Sequence, residues 1–186
     1  MSLIQPYYNY CNVVWGAADT TIIEPLFLLQ KKALRIVNRV PYLEHTKPIF
    51  ESMKLLTVYQ LHDLNCILFI YKCLNSNIYP FYKNRLIRNS QYHDYNTRNN
   101  SDFRLPGSRL KNIRQSYFFK GIGLWNNLNN DLTIFKPNIL FKSNLSSFKK
   151  RIKAKIITDA TQKGIYIDGD KYFNIYLCIY VYVSRH

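Results

Sequence analysis

Along residues 21–40 the apolar side chains Ile22, Leu26, Leu29, Ala33, Ile36 and Val40 recur at alternating spacings of four and three, the repeat that aligns side chains on one face of an α-helix. The cations Lys31, Lys32, Arg35 and Arg39 gather away from that seam, so the pattern predicts a helix with one face that packs and another that meets solvent or phosphate. Thr21-Ile22-Ile23-Glu24 has the spacing of a capping box, while Pro25 removes an N–H just after the first turn and leaves the start soft.

Pro41 and residues 42–45 break the pattern, and Thr46 is placed to cap a short helix carrying Ile49, Phe50 and Met53. Thr57-Val58-Tyr59-Gln60 has a second capping-box spacing and opens a longer helix, one face of which is marked by Leu61, Leu64, Leu68 and Tyr71 up to the stop at Asn75-Ser76-Asn77. Three consecutive helices predict a helical bundle over residues 1–80. Over residues 81–120 the helical period fades, turn formers cluster and Pro106-Gly107 punctuates, which predicts a basic, loop-rich linker. Residues 121–157 form a C-terminal helical part: Leu124, Trp125 and Leu128 mark a short helix, and Phe141, Leu145, Phe148, Ile152 and Ile156 a last one from about residue 138. Residues 158–186 are a divergent tail, in which 165–170 and 172–183 have the alternation of a small β-hairpin around an Asp-Gly turn, either paired with something or poorly ordered. The predicted fold class is mainly α, a helical bundle with an irregular basic middle.

Charge changes the meaning of the polar faces. The chain has 26 Lys+Arg against 11 Asp+Glu, a net charge of +15 and a pI near 9.7, more than solubility asks of a small domain, and this predicts a polyanionic partner. An AT-rich coding sequence also accounts for abundant Asn, Lys, Ile, Tyr and Phe, but not for the shortage of acids. For any one helix the alternative is a solvated basic face. In residues 81–120, Arg88, Arg98, Arg104 and Arg109 lie among Tyr92, Tyr95, Phe103 and Tyr117. Such interleaving serves a single strand through charge and stacking, or else the rings pin a long loop onto the core. Around the last helix, Lys142, Lys149, Lys150, Arg151, Lys153 and Lys155 are unopposed by any acid, which suits RNA, DNA or an anionic membrane surface as well as plain solvation.

The 47% hydrophobic content is enough for one core or two small ones. Cys11, Cys66, Cys73 and Cys178 are scattered and no signal peptide precedes them, so they read as free thiols of an intracellular protein, cytoplasmic or nuclear. Residues 172–183 fall short of the roughly 20 needed to span a bilayer, and no membrane span is expected.

Chemistry is scarce. His62, Cys66 and Cys73 share one side of the third helix, but no fourth ligand has a familiar zinc spacing, so core thiols with a satisfied histidine are the simpler reading. No Gly-x-Ser-x-Gly, P-loop or His-Glu-x-x-His pattern occurs, and the close acids Asp168 and Asp170 are explained by their turn. Neither a catalytic residue nor a metal or other cofactor is expected.

Several short motifs occur in a telling order: Ser2-Leu3-Ile4-Gln5-Pro6, Tyr10-Cys11 with Val14-Trp15-Gly16, and Leu29-Gln30-Lys31-Lys32-Ala33-Leu34-Arg35-Ile36. They are followed by His45-Thr46-x-Pro48-Ile49-Phe50, Tyr71-Lys72, Tyr95-Asn96-Thr97-Arg98 and Leu105-Pro106 with Arg109. Gly121-x-x-Leu124-Trp125-Asn126-x-Leu128 and Phe148-Lys149-Lys150-Arg151-Ile152-Lys153 close the series. In this order, over roughly residues 2–156, the chain resembles the region downstream of the catalytic palm in reverse transcriptases of non-LTR, LINE-like retrotransposons, particularly jockey-like mobile elements.

The resemblance implies a thumb and post-thumb region that grips a template–primer duplex of RNA or DNA. The family's Tyr-x-Asp-Asp motif lies upstream of where this chain begins, so the expectation is a fragment without polymerase activity of its own, with a palm domain in a full-length element protein as a partner. Lys31, Lys32, Arg35 and Arg39 are the expected phosphate contacts, joined by Arg98 and Arg109 in the middle segment and by Lys149, Lys150 and Lys153 in the closing helix. The alternatives are a non-enzymatic helical interaction module and a mobile-element remnant without function.

Overall fold

The computed structural model describes residues 5–76, 79–92, 95, 97–130 and 144–163. These residues form a mainly α protein: α1 (Gln5–Asn9), α2 (Asn12–Trp15), α3 (Thr20–Asn38), α4 (Lys47–Ser52), α5 (Val58–Asn75), α6 (Pro80–Lys83), α7 (Lys111–Gln115), α8 (Tyr117–Asn130) and α9 (Leu145–Lys163), with one 3-10 turn at Asn89–Gln91. No strand occurs among the described residues. The hairpin expected over 165–183, with Phe141 and Lys142, lies outside them.

α5 is the central element. Leu61, Leu64, Leu68 and Tyr71 are buried as the sequence predicts, but so are Cys66, Ile67 and Ile70 on its other sides, because α8, α9, α2 and α3 all pack against it. Its start is the predicted capping box: Gln60 N–H donates to Thr57 Oγ1 (3.3 Å) and Thr57 N–H to Gln60 Oε1 (2.9 Å). α8 can approach α5 closely because Gly121 has no side chain; a Cβ there would stand 2.9 Å from Ile70 Cγ1 and 3.1 Å from the Cys66 carbonyl oxygen. α9 lies against the same core, with Phe148 stacked on Tyr71 at 4.1 Å between ring centroids and Ile152 fully buried. Farther along α9, Ala160 joins Phe27 and Leu34 of α3 and Phe50 of α4 in a second cluster.

The caps of the other early helices differ from the sequence reading. α3 is capped by Asp19, whose carboxylate accepts from the Thr21 N–H (3.4 Å), so the Thr21–Glu24 box does not form. Asp19 also takes an ion pair from Lys111 Nζ (2.8 Å), which ties the start of α3 to α7 and holds the Asp19 carboxyl down to about 2. Pro25 sits inside α3 without ending it; it faces solvent, and the carbonyl of exposed Thr21 can take water in place of the missing N–H. Thr46 stands at the N-cap of α4, but its side chain makes no capping bond.

The described residues between 84 and 105 fold back on themselves. Asn89 N–H donates to Asp102 O (2.9 Å), Arg104 N–H to Ile87 O (2.8 Å), and Arg88 and Phe103 form an isolated antiparallel bridge. Leu86 and Phe103 reach the main core from this loop. α7 follows this loop, and α8 begins at Tyr117, before the Gly121 start predicted from the sequence.

Candidate nucleic-acid interface

The buried face of α3 is Ile23, Phe27, Gln30 and Leu34, one position along from the seam that the sequence predicts. Ile22, Leu29 and Ile36 are instead 68%, 58% and 68% exposed. Both stripes have helical spacing, so contacts decide between them. Phe27 meets Phe50 and Tyr59 at 6.4 and 5.5 Å between centroids, and burying a Phe contributes about 1.5–3 kcal/mol. Gln30 Nε2 donates to Leu56 O (3.0 Å) and its Oε1 accepts from Val58 N–H (3.0 Å), two bonds of about 1 kcal/mol each that satisfy the backbone where the chain enters α5. The competing stripe offers Ala33 at the same level, which buries little.

This rotation sorts the predicted phosphate contacts. Lys31 is half-buried, its Nζ 4.3 Å above the Phe27 ring. Arg35 is drawn down too: its Nε donates to Glu44 O (2.9 Å) and its guanidinium lies 5.6 Å from the Tyr42 ring. Lys32 and Arg39 remain exposed, Arg39 at the C-terminal cap of α3 with φ 54°, where a cation also suits the helix dipole. On α9, Lys149 and Lys150 are exposed, Lys153 is half-buried, and Lys155 is buried against the expectation of a basic surround. The rise of about 1.5 Å per residue puts Lys149 and Lys150 roughly 15–17 Å along α9 from Ala160, the residue that meets α3.

In the middle segment Arg98 is exposed and, with Asn89, Tyr95, Thr97 and Asn99, lines an open cleft of about 370 Å³. Arg109 is exposed just before α7. The other interleaved rings are largely committed to the protein itself. Arg104 covers Tyr92 at 3.4 Å, and Phe103 is buried. Tyr117 shares a 2.6 Å hydroxyl contact with Tyr82 and packs edge-on against Phe69. For Phe103 and Tyr117 the pinning reading holds; Tyr92 and Tyr95 are the more exposed rings of the segment, at 55% and 63%.

The buried polar groups are structural. His62 Nδ1 lies 3.0 Å from the Asn12 carbonyl, an acceptor, so Nδ1 carries the proton and Nε2 faces the Cys66 thiol at 3.5 Å. Burial, with the Lys120 cation adding to it, pushes His62 down to about 4, and burial pushes the Cys66 thiol up to about 12. A thiol so disfavoured as thiolate is a poor nucleophile. Gly16 lies against the imidazole, so close that any Cβ would clash with it. Among the described residues no group of three His, Cys, Asp or Glu side chains is arranged to hold a metal ion. Nor is any helix among them long and apolar enough to cross a membrane.

Two polar arrangements lie outside the sequence reading. Lys120 pairs with Asp63 at 2.6 Å between α8 and α5, and Asn126 holds Phe103 by two hydrogen bonds. Both join residues far apart in the chain, and nothing in the local spacing signals either. No protein-family model, curated protein or solved structure matches this chain.

Proposed function

We propose that this chain is a thumb and post-thumb region of a LINE-like retrotransposon reverse transcriptase, a module that binds RNA or DNA duplex without reading sequence and performs no polymerisation by itself. The observation that carries the reading is the unopposed charge on α3 and α9. These helices expose Lys32, Lys149 and Lys150, and Arg39 caps α3, while their acids are Glu24 and Asp159, neither of them fully exposed. Glu24 is moreover occupied as the acceptor of the Tyr59 hydroxyl (3.0 Å). Cations that face solvent without neighbouring acids attract phosphate and release its counterions, which gives affinity independent of base sequence. The ordered motif resemblance supplies the identity of the module, and the charge supplies its mechanism.

The role expected of the exposed cations is electrostatic grip, with Tyr95 and Arg98 as a secondary contact for an unpaired base and its phosphate. Two assays test the two halves. In fluorescence anisotropy the chain binds labelled RNA–DNA and DNA duplexes of unrelated sequence alike, and loses affinity steeply with salt. In primer extension the purified chain incorporates nothing; incorporation above the no-protein control contradicts the second half.

A further inference from the structure

Ile22, Leu29 and Ile36 stand in one row on α3 at a spacing of seven, with Leu26 and Ala33 half-buried between them. This is the alternating repeat of a coiled-coil seam, left open for roughly 21 Å along the helix. Isolated exposed aliphatic residues are ordinary; three in coiled-coil register are what a second helix covers.

The two flanks of the seam differ. On one side Ile23 and Gln30 are sealed into the protein, and only Val37 in the last turn is exposed. On the other, Pro25 and Lys32 occupy the positions just before Leu26 and Ala33, the places from which coiled-coil flanking charges reach a partner, and Arg39 follows at the C-terminal cap of α3. The sole acid of α3, Glu24, is turned to Tyr59. An apolar row with one cationic flank and no anion selects its occupant by charge.

We propose that the Ile22–Leu29–Ile36 seam docks an amphipathic helix of another polypeptide, with apolar residues in heptad register and acidic residues on its flank. A second copy of this chain is disfavoured, because antiparallel pairing would bring the Lys32 and Arg39 flanks of two +15 chains together. A lipid surface suits a broader apolar face than this row, which buried Ile23 and Gln30 limit on one side and Lys32 on the other. The inference shares Lys32 and Arg39 with the nucleic-acid reading but is distinguished from it by the aliphatic row, which phosphates do not touch.

The test is a titration of the full chain into a fluorescein-labelled synthetic peptide of about three heptads, Leu at the seam positions and Glu on the flanks, beside Lys-flanked and scrambled versions. The acidic peptide is expected to bind in the micromolar range. Binding should fall about tenfold or more in Leu29→Gln/Ile36→Gln, and should weaken and lose salt dependence in Lys32→Ala/Arg39→Ala. The Leu29→Gln/Ile36→Gln variant should keep its melting temperature and its affinity for duplex nucleic acid, so the two readings fail separately. Equal binding of the acidic and Lys-flanked peptides, or unchanged binding by Leu29→Gln/Ile36→Gln, overturns the proposal. So does dimerisation in sedimentation, or adsorption to phosphatidylserine vesicles, that the same variant abolishes. A fall in its melting temperature overturns it as well, by showing that the chain covers its own seam.

Discussion

Asn126 holds Phe103 through both ends of its amide: Nδ2 donates to the Phe103 carbonyl at 2.7 Å, and Oδ1 accepts from the Phe103 N–H at 3.0 Å. One side chain on α8 thus replaces a neighbouring strand for residue 103, and it fastens the loop that carries Arg98 to the helix that packs on α5. Removing it leaves a backbone donor and acceptor unpaired at a buried residue. Asn126→Ala should destabilise the protein by about 1–3 kcal/mol in denaturant unfolding, and amide exchange at Phe103 and Arg104 should accelerate before global unfolding.

The two glycines of α8 should respond with opposite signs. Gly121→Ala places a Cβ 2.9 Å from Ile70 Cγ1 and 3.1 Å from backbone of α5, and overpacking of this kind costs about 1–3 kcal/mol. Gly123→Ala meets nothing within 4 Å and removes backbone freedom in a helix interior, so it should stabilise by roughly 0.5–1 kcal/mol. Thermal melts of the pair check both; stabilisation by Gly121→Ala contradicts the close approach of α8 to α5.

His62 gives the fold a pH dependence with a defined direction. Its pKa is about 4 folded against an ordinary 6.5, so as pH falls from 6.5 toward 4 the unfolded chain takes up the proton first and stability is lost. Above pH 6.5 the contribution is fully present; below about 4 both states are protonated. The loss amounts to roughly 3 kcal/mol at most. Urea unfolding at pH 7 and pH 5 should show a steeper decline for the parent than for His62→Asn.

How far this fold can be read from the chain differs between elements for identifiable reasons. α5 and α9 are legible because Leu61, Leu64, Leu68, Phe148 and Ile152 keep helical spacing and are buried as that spacing implies. The extent of α3 is legible for the same reason, but its rotation is not. Two stripes one residue apart both satisfy the period, and the buried one contains Gln30, a polar residue that reads as surface until its partners at Leu56 and Val58 are seen. The error passes on to the site, since the orientation of α3 determines that Lys31 and Arg35 lie on the protein while Lys32 and Arg39 reach solvent. Tertiary polar pairs such as Asn126 with Phe103 and Lys120 with Asp63 join residues far apart in sequence, and no local pattern announces them.

The orientation of α3 supplies the most direct test of duplex grip, because it divides four neighbouring cations into two pairs. Anisotropy titrations with a single RNA–DNA duplex across a salt series, on Lys32→Ala/Arg39→Ala and Lys31→Ala/Arg35→Ala, compare them. The account predicts that the Lys32/Arg39 pair weakens binding and reduces the slope of log affinity against log salt by about 1.8, two phosphate contacts at about 0.9 each, while the Lys31/Arg35 pair changes that slope by well under one contact. An unchanged slope in Lys32→Ala/Arg39→Ala, or the larger loss in Lys31→Ala/Arg35→Ala, would contradict it.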